Sequence, residues 1–325
     1  MRDYLPVMNR ALPILRRLGT LLAVIMLSTF FLSCLLRLLP TDLVDMILTF
    51  GSPEEKAALR RSLYLDRDVF TSYFMWFKDF IRGDMGLMYG TGGGETVWSH
   101  VTRSLPISLL IMLYTQIFAL LVAIPLGILT AYRAGKKSDR IISNVLFTSS
   151  SIPNFALAFL LIIVVGVKLK WFPTLEYIGF KESPFQHFKH LVLPCFSLGV
   201  GLAASYTRLL RTDVIAALKD DYVTMAASKG LSDTRVLLTH VFRPASVTLL
   251  TAAALNMGAL IGGTLVIENI FAIPGFGFEI AYALATKEFV ALQSFIAVTA
   301  IGYVIFNVTA DLLIGVVDPR TRGSR

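Results

Sequence analysis

Charge is what this 325-residue sequence has least of: only 16% of its residues are Asp, Glu, Lys or Arg, against about a quarter in a typical soluble domain. Six stretches contain none at all: 18–36, 105–132, 141–167, 191–207, 244–267 and 289–310, of 19, 28, 27, 17, 24 and 22 residues. Each is close to or beyond the ~17–25 residues that a helix needs to cross hydrocarbon. With 55% hydrophobic residues and a mean hydropathy of +0.68, a water-soluble globule is excluded. A β-barrel is excluded too, because its ~10-residue alternating strands give no solid apolar runs. The chain reads as an all-α, polytopic membrane protein with six transmembrane helices.

Other absences narrow the chemistry. No charged residue sits at the centre of any apolar stretch, where one usually marks an ion or proton relay, so a gradient-coupled transporter lacks its usual signature. No G-x-x-x-x-G-K-[ST] phosphate loop occurs; Gly135-Lys136-Lys137-Ser138 lacks the leading glycine. The two cysteines, Cys34 and Cys195, have no C-x-x-C spacing and make neither a zinc site nor a disulfide framework. His100, His187, His190 and His240 are scattered outside the apolar stretches, and His187 and His190, three apart, have no acidic or cysteine companions close by, which argues against a metal site. No Ser/His couple or membrane-depth Asp pair suggests an intramembrane enzyme.

What charge there is has a direction. The net charge of +8 and pI of about 9.5 do not call for nucleic acid, because the positives sort by loop. With both termini on the cytoplasmic side, the inside segments hold 17 of the 30 Lys and Arg, and the two short outside loops hold five: Lys168, Lys170, Lys181, Lys189 and Lys287. The long first outer loop, about 39–104, is poorly governed by the positive-inside rule. The segments are then a cytoplasmic 1–17, a six-span region 18–317 and a cytoplasmic tail 318–325. Arg16-Arg17 precedes an apolar stretch longer than a signal core, with no A-x-A-like site after it, so it reads as a retained anchor.

In the outer loop, Val69, Phe70, Tyr73, Phe74, Phe77, Phe80 and Ile81 recur at helical spacing. An amphipathic helix over 69–81 is predicted, suited to the outer membrane surface or to the helix bundle. Gly83-Asp84-Met85-Gly86 ends it, and the glycine-rich 90–94 stretch continues as loop. Pro125, Pro153 and Pro194 fall in spans two, three and four, where proline permits a kink or simply packs. Gly258, Gly262 and Gly263 form a small-x-x-x-small pattern in span five. It suits close packing within one chain or between two subunits.

The loop 208–243 carries the most information. Tyr222, Met225, Ala226 and Lys229 fall on one helical stripe, and Gly230 follows, where a helix end tolerates positive φ. Ser232 is placed as the N-cap of a second short helix, with Asp233 in its first turn. The result is helix–glycine–helix with a small-residue face, a shape that suits a docking partner. A plain amphipathic connector would share the spacing.

The run 221–231, Asp-Tyr-Val-Thr-Met-Ala-Ala-Ser-Lys-Gly-Leu, resembles the EAA coupling loop of ABC-importer permeases in its dipeptide/oligopeptide form, D-Y-V-x-x-A-R-A-K-G-L. The likeness continues through Val236, His240 and Arg243-Pro244-Ala245, then Glu268-Asn269-Ile270-Phe271-Ala272-Ile273-Pro274-Gly275-Phe276-Gly277, similar to E-x-I-F-x-x-P-G-x-G. It ends with Asn307, Asp311 and Asp318-Pro319-Arg320. Upstream, Leu65-Asp66, Trp76, Gly83-Asp84-Met85-Gly86, Arg103-Ser104-Leu105-Pro106 and Ser151-Ile152-Pro153-Asn154-Phe155 also fit, and the long first outer loop matches the B-type subunit. Three departures stand out. Ala227 replaces the family's arginine, removing a salt bridge to a partner. Pro244 stands for asparagine, with Thr248 where a proline is usual. Pro40-Thr41-Asp42 stands where P-G-D-P is usual.

The resemblance implies a type I ABC-importer permease fold in a bacterial inner membrane and no catalytic residue of its own. It implies a second, C-type permease as partner and one or two ABC ATPase chains that bind ATP and Mg. An extracytoplasmic binding protein would deliver peptide, while haem, nickel chelates and glutathione are carried by similar members. Tyr222, Met225, Ala226, Ala227, Lys229, Gly230, Ser232 and Arg243 are then the ATPase-coupling candidates. Glu268, Phe271, Pro274, Gly275 and Gly277 are candidates for an outer gate or binding-protein contact, or else form a structural turn. Gln116, Asn144, Asn154 and Asn256 are candidate path-lining residues, though hydrogen bonding between helices explains them as readily. A self-sufficient secondary transporter or channel is the competing class.

Overall fold

In a computed structural model of the chain, residues 22–35, 50–89 and 94–317 are described, with Gly19, Arg37, Leu38, Val44, Asp45 and Leu48 besides; for 311–317 the backbone alone is described. The expectations for 1–17, Pro40-Thr41-Asp42, residues 90–93, the Asp311 side chain and 318–325 lie outside the described residues. The chain divides into two compact units, one of residues 1–105 and 279–304, the other of 106–278 and 305–325.

In the first unit α1 is the apolar Leu22–Leu35. α2 (Pro53–Ser62) begins with a capping box, in which Ser52 and Glu55 satisfy each other's backbone N–H. α3 (Val69–Ile81) is capped by Asp68, which accepts from the Thr71 N–H. The apolar stripe of α3 divides: Tyr73, Trp76 and Phe80 turn inward, while Phe70, Phe74 and Ile81 stay exposed. Tyr73, Trp76 and Phe80 pack with Ala297, Phe30 and Ile301. Two bonds explain why these amphipathic aromatics bury fully: the Trp76 Nε1–H donates to Ser294 Oγ at 3.3 Å, and the Tyr73 hydroxyl lies 3.0 Å from Thr29 Oγ1. A two-residue hairpin, β1 (Leu87–Met88) and β2 (Glu95–Thr96), pairs antiparallel with Leu87 opposite Thr96.

The long helices follow. α4 (Val97–Tyr132) runs 36 residues with Pro106 and Pro125 inside it, and α7 (Pro184–Ala217) runs 34 with Pro194 inside. Between them lie α5 (Lys137–Ser150) and α6 (Asn154–Leu161), the latter passing into a π-helical Ile162–Lys168. Beyond α7 come α8 (Asp221–Ser228), α9 (Asp233–Arg235), α10 (Arg243–Ile270), α11 (Phe276–Ala285) and α12 (Phe289–Val317). A π-helical Val236–Phe242 joins α9 to α10, giving one continuous apolar helix of 38 residues.

Among the described residues, four helices are long and apolar enough to cross a membrane. The stretch 141–167, read as one span, is instead a pair bent by 97° between Ser150 and Asn154. The break has two causes. Pro153 donates no hydrogen bond and disfavours helix at Ile152, while the Ser150 and Ser151 hydroxyls both capture the Phe147 carbonyl at 2.9 Å. Pro125 and Pro194 lack such serine competitors and stay within unbroken helices.

Two apolar clusters hold the second unit. One joins Ala119, Ala123 and Ala131 of α4 to Leu210 and Val214 of α7, Val223 and Ala226 of α8, and Leu249 of α10. The other joins Ile111 to Leu161, Leu198, Ile267, Phe271 and Ile273. Cys195 belongs to the second cluster and is a free thiol.

Candidate functional site

The helix pair at 221–242 is anchored on one side and open on the other. Val223 and Ala226 are buried in the first cluster, so α8 is pinned by its inward stripe. Tyr222, Met225, Ala227 and Lys229 face outward, Met225 with 58% of its surface exposed. Ala226 therefore does not share the outward face with Tyr222 and Met225 as the stripe suggested; its methyl group is spent on the core. α8 ends at Lys229, whose N–H donates to the Met225 carbonyl at 3.1 Å, and Gly230 donates to Ala227 at 3.0 Å. Gly230 holds φ +79°, and no atom lies within 4 Å of where its Cβ would stand. Glycine is needed here for its backbone alone. Ser232 occupies the N-cap position with extended backbone, but its side chain makes no capping bond; its carbonyl accepts from Val236 at 2.9 Å. Arg243 is exposed at the first residue of α10.

The turn at 268–278 is built the opposite way. Glu268, in the last turn of α10, is fully buried. Its Oε1 accepts from Ser108 Oγ at 2.6 Å, and its Oε2 accepts from the Gly277 N–H at 2.7 Å and the Phe278 N–H at 3.2 Å. Ser108 Oγ in turn accepts from the Phe276 N–H at 2.7 Å. The first N–H groups of α11 thus find their acceptors on α10 and α4, and a carboxyl group sits at the positive end of the α11 dipole. The glycines follow from this. A Cβ on Gly275 would stand 2.5 Å from Glu268 Cδ, and one on Gly277 would meet the Leu265 backbone and lie 2.9 Å from Glu268 Oε2. Positive φ is taken instead by Ala272, at +52°. Glu268, Phe271, Gly275 and Gly277 are consequently buried, and of the five residues grouped as an outer gate or binding-protein contact only Pro274 is exposed. Glu268, Gly275 and Gly277 form an internal latch that gives the first N–H groups of α11 their acceptors, and Phe271 packs in the second apolar cluster.

The path-lining candidates separate as well. Gln116 is buried and its Nε2 donates to the Tyr206 hydroxyl at 3.1 Å; Asn256 Nδ2 donates to the Ala252 carbonyl at 2.9 Å, and Asn256 borders a cleft of about 350 Å³ with Tyr206. Gln116 thus joins α4 to α7 through Tyr206. Asn144 is exposed and borders a cleft of about 480 Å³ between α5 and α7 with Ser143, Thr207 and Arg208. Asn154 is exposed at the start of α6.

Two features escaped the sequence. Tyr206 is one. The other is a bidentate pair in which Arg211 Nε and Nη2 donate to Asp139 Oδ1 and Oδ2 at 3.0 and 2.8 Å. Gly135 N–H and Ser143 Oγ complete the Asp139 shell. The partners stand 72 residues apart, and only the excess of polar residues at both places hinted at a joint. Among the described residues no group of three or more His, Cys, Asp or Glu is placed to hold a metal ion.

Comparison with known proteins agrees with this architecture. Residues 123–323 match the model of the binding-protein-dependent transport system inner membrane component family. The oligopeptide transport system permease protein AppB of Bacillus subtilis is 34% identical over 77% of this chain and 80% of its own. The glutathione transport system permease protein GsiC of Escherichia coli is 26% identical, over 95% of this chain and 98% of its own. In fold, the chain is similar to an inward-facing structure of the MetNI methionine ABC transporter, with a TM-score of 0.55 at 16% identity over 67% of this chain and 96% of that one. The multi-pass α-helical architecture, the family match over most of the chain and the importer-permease fold converge: this chain belongs to the binding-protein-dependent transport system inner membrane components, and is a transport permease, not a catalyst.

Proposed function

We propose that the chain is the B-type permease of an ATP-driven peptide importer, pairing with a second permease. Its helix pair at 221–242 seats on cytoplasmic ATPase chains that bind ATP and Mg. An extracytoplasmic binding protein delivers the cargo, and both termini lie in the cytoplasm of a bacterial inner membrane. One observation carries the mechanism. α8 is pinned by Val223 and Ala226 yet shows Tyr222, Met225 and Lys229 outward, and the helix after Gly230 runs unbroken from Asp233 to Ile270. A push on such a docking pair is delivered along a single span. Closure of the ATPases on ATP supplies the differential affinity that moves the span between two states.

Peptide as cargo rests on relatives such as AppB and GsiC, whose names specify oligopeptide and glutathione. Space beside Gly262, where a Cβ would meet nothing within 4 Å, suits close approach of a helix from the second permease. The orientation rests on the 17 inside positives against five in the short outer loops.

The test is ATP hydrolysis and peptide uptake by the reconstituted complex carrying Gly230→Val or Lys229→Glu. Both rates are expected to fall together, about tenfold, the size of an ordinary coupling free energy. A β-branched residue resists φ +79°, and a reversed charge repels a partner at close range. Wild-type rates in both variants would reduce the pair to a connector.

A further inference from the structure

The first unit contains a cavity of about 250 Å³ that the transport reading does not use. Tyr64, Tyr73 and Trp76 give it aromatic walls, and Asp79, Asp84, Arg37 and Gln293 give it polar ones. Gln293 is only 5% exposed, and among the described residues its Nε2 has no hydrogen-bond partner. Leaving a buried amide donor unpaired is unfavourable, so the cavity lacks an acceptor. The polar walls are linked through Tyr64. Arg37 Nη2 donates to Ser72 Oγ at 2.7 Å, Ser72 Oγ donates to the Tyr64 carbonyl, and the Tyr64 hydroxyl donates to Asp79 Oδ2 at 2.6 Å. That last bond holds the Tyr64 phenol above its usual pKa, so it remains a donor. Tyr64 itself sits at φ +57°, a conformation that a bulky residue rarely adopts. Asp84 is exposed at the rim, with Oδ1 accepting from the Gly86 N–H at 3.0 Å.

The two kinds of wall ask for opposite charges. Carboxylates beside aromatic faces attract an ammonium group, whereas a guanidinium and an unpaired amide N–H attract a carboxylate. A simple amine would leave the Gln293 amide unmatched, and a simple anion would meet Asp79 and Asp84. The volume is below the ~300–1,000 Å³ of pockets for drug-sized ligands. We propose that this cavity binds a small zwitterion, a free amino acid or dipeptide, with its ammonium toward the acidic aromatic side and its carboxylate toward Arg37 and Gln293. The site stands on the cavity's own chemistry, whatever cargo crosses the membrane.

Equilibrium dialysis tests it on the intact transporter in phosphatidylglycerol nanodiscs, without nucleotide or binding protein, using radiolabelled alanyl-alanine. Saturable binding is expected, weakened about tenfold by Gln293→Leu and by Asp84→Asn, and by N-acetylating or C-amidating the probe. Asp84 is at the rim, so its variant tests the site even where Gln293→Leu fails to fold. Absence of saturable binding in the wild type, or equal binding by Asp84→Asn and wild type, overturns the proposal. Loss of dipeptide binding on adding phosphatidylethanolamine would assign the cavity to a lipid headgroup and overturn the soluble ligand. Uptake assays fail or succeed independently, because dialysis requires no transport.

Discussion

At 228–233 and at 270–276 one helix gives way to the next through a turn that contains glycine, but the glycines serve different ends. Gly230 takes a positive φ in open space, with no neighbour for a Cβ. Gly275 and Gly277 make room for the Glu268 carboxyl group, while the positive φ of that turn falls to Ala272. The first turn is held by its backbone and by Leu231 against the apolar cluster, and leaves its other side chains outward. The second is held by a buried side chain and leaves only Ala272 and Pro274 outward. A permease needs both kinds. The proposed docking pair must present a surface to another protein, and a turn between two apolar helices must satisfy its own N–H groups where water is scarce.

The largest effect that would break this comparison is expected at Glu268. Glu268→Ala removes the acceptor for Ser108, Gly277 and Phe278 at once and leaves buried donors unpaired, a loss of about 3–5 kcal/mol. Glu268→Gln keeps one acceptor oxygen and should lose clearly less. A thermal melt followed by a thiol-reactive dye on the buried Cys195, with the half-buried Cys34 first replaced by Ser, reads the difference. An unchanged melting temperature in Glu268→Ala would mean that the turn is held by something other than its carboxyl group.

The next effect separates the two glycines directly. Gly277→Ala forces a Cβ onto the Leu265 backbone and Glu268 Oε2, an overpacking worth about 1–3 kcal/mol. Gly230→Ala meets only the backbone penalty, about 1 kcal/mol. Asparagine sharpens the contrast, because it tolerates positive φ but is larger than alanine. At 230 it should recover most of the loss, and at 277 it should deepen it. The same order at both positions would erase the distinction between a glycine chosen for φ and one chosen for space.

How much of this was legible follows from how local each feature is. The helix pair around Gly230 can be read from the sequence, since its stripe, stop and restart lie within about twenty residues. The helix over 69–81 is legible for the same reason. Glu268 was not, because its partner Ser108 lies 160 residues away and the motif places an acidic residue beside a Pro-Gly bend, which reads as a surface loop. The bend at Pro153 was not told apart from Pro125 and Pro194 because the deciding hydroxyls belong to the preceding serines. Ala226 was put on the wrong face because a small residue suits a docking surface and a core equally.

The smallest stability effect is expected on the outward face of α8, and it is the most informative about the docking pair. Met225 is 58% exposed, so Met225→Ser should change the stability of the permease by no more than about 0.5 kcal/mol. Val223, one turn-face away, is buried in the apolar cluster, and Val223→Ser should destabilise by about 2 kcal/mol or more, through lost packing and a hydroxyl brought into an apolar site. Function should not follow stability. If ATPase chains seat on this face, Met225→Ser lowers binding-protein-stimulated ATP hydrolysis by about fivefold although the permease melts like the wild type. Its exposed thioether is the kind of adaptable apolar contact that an interface uses. Equal hydrolysis in wild type and Met225→Ser would place the partner's footprint elsewhere, on Tyr222, Lys229 or the exposed Leu238 of the second helix.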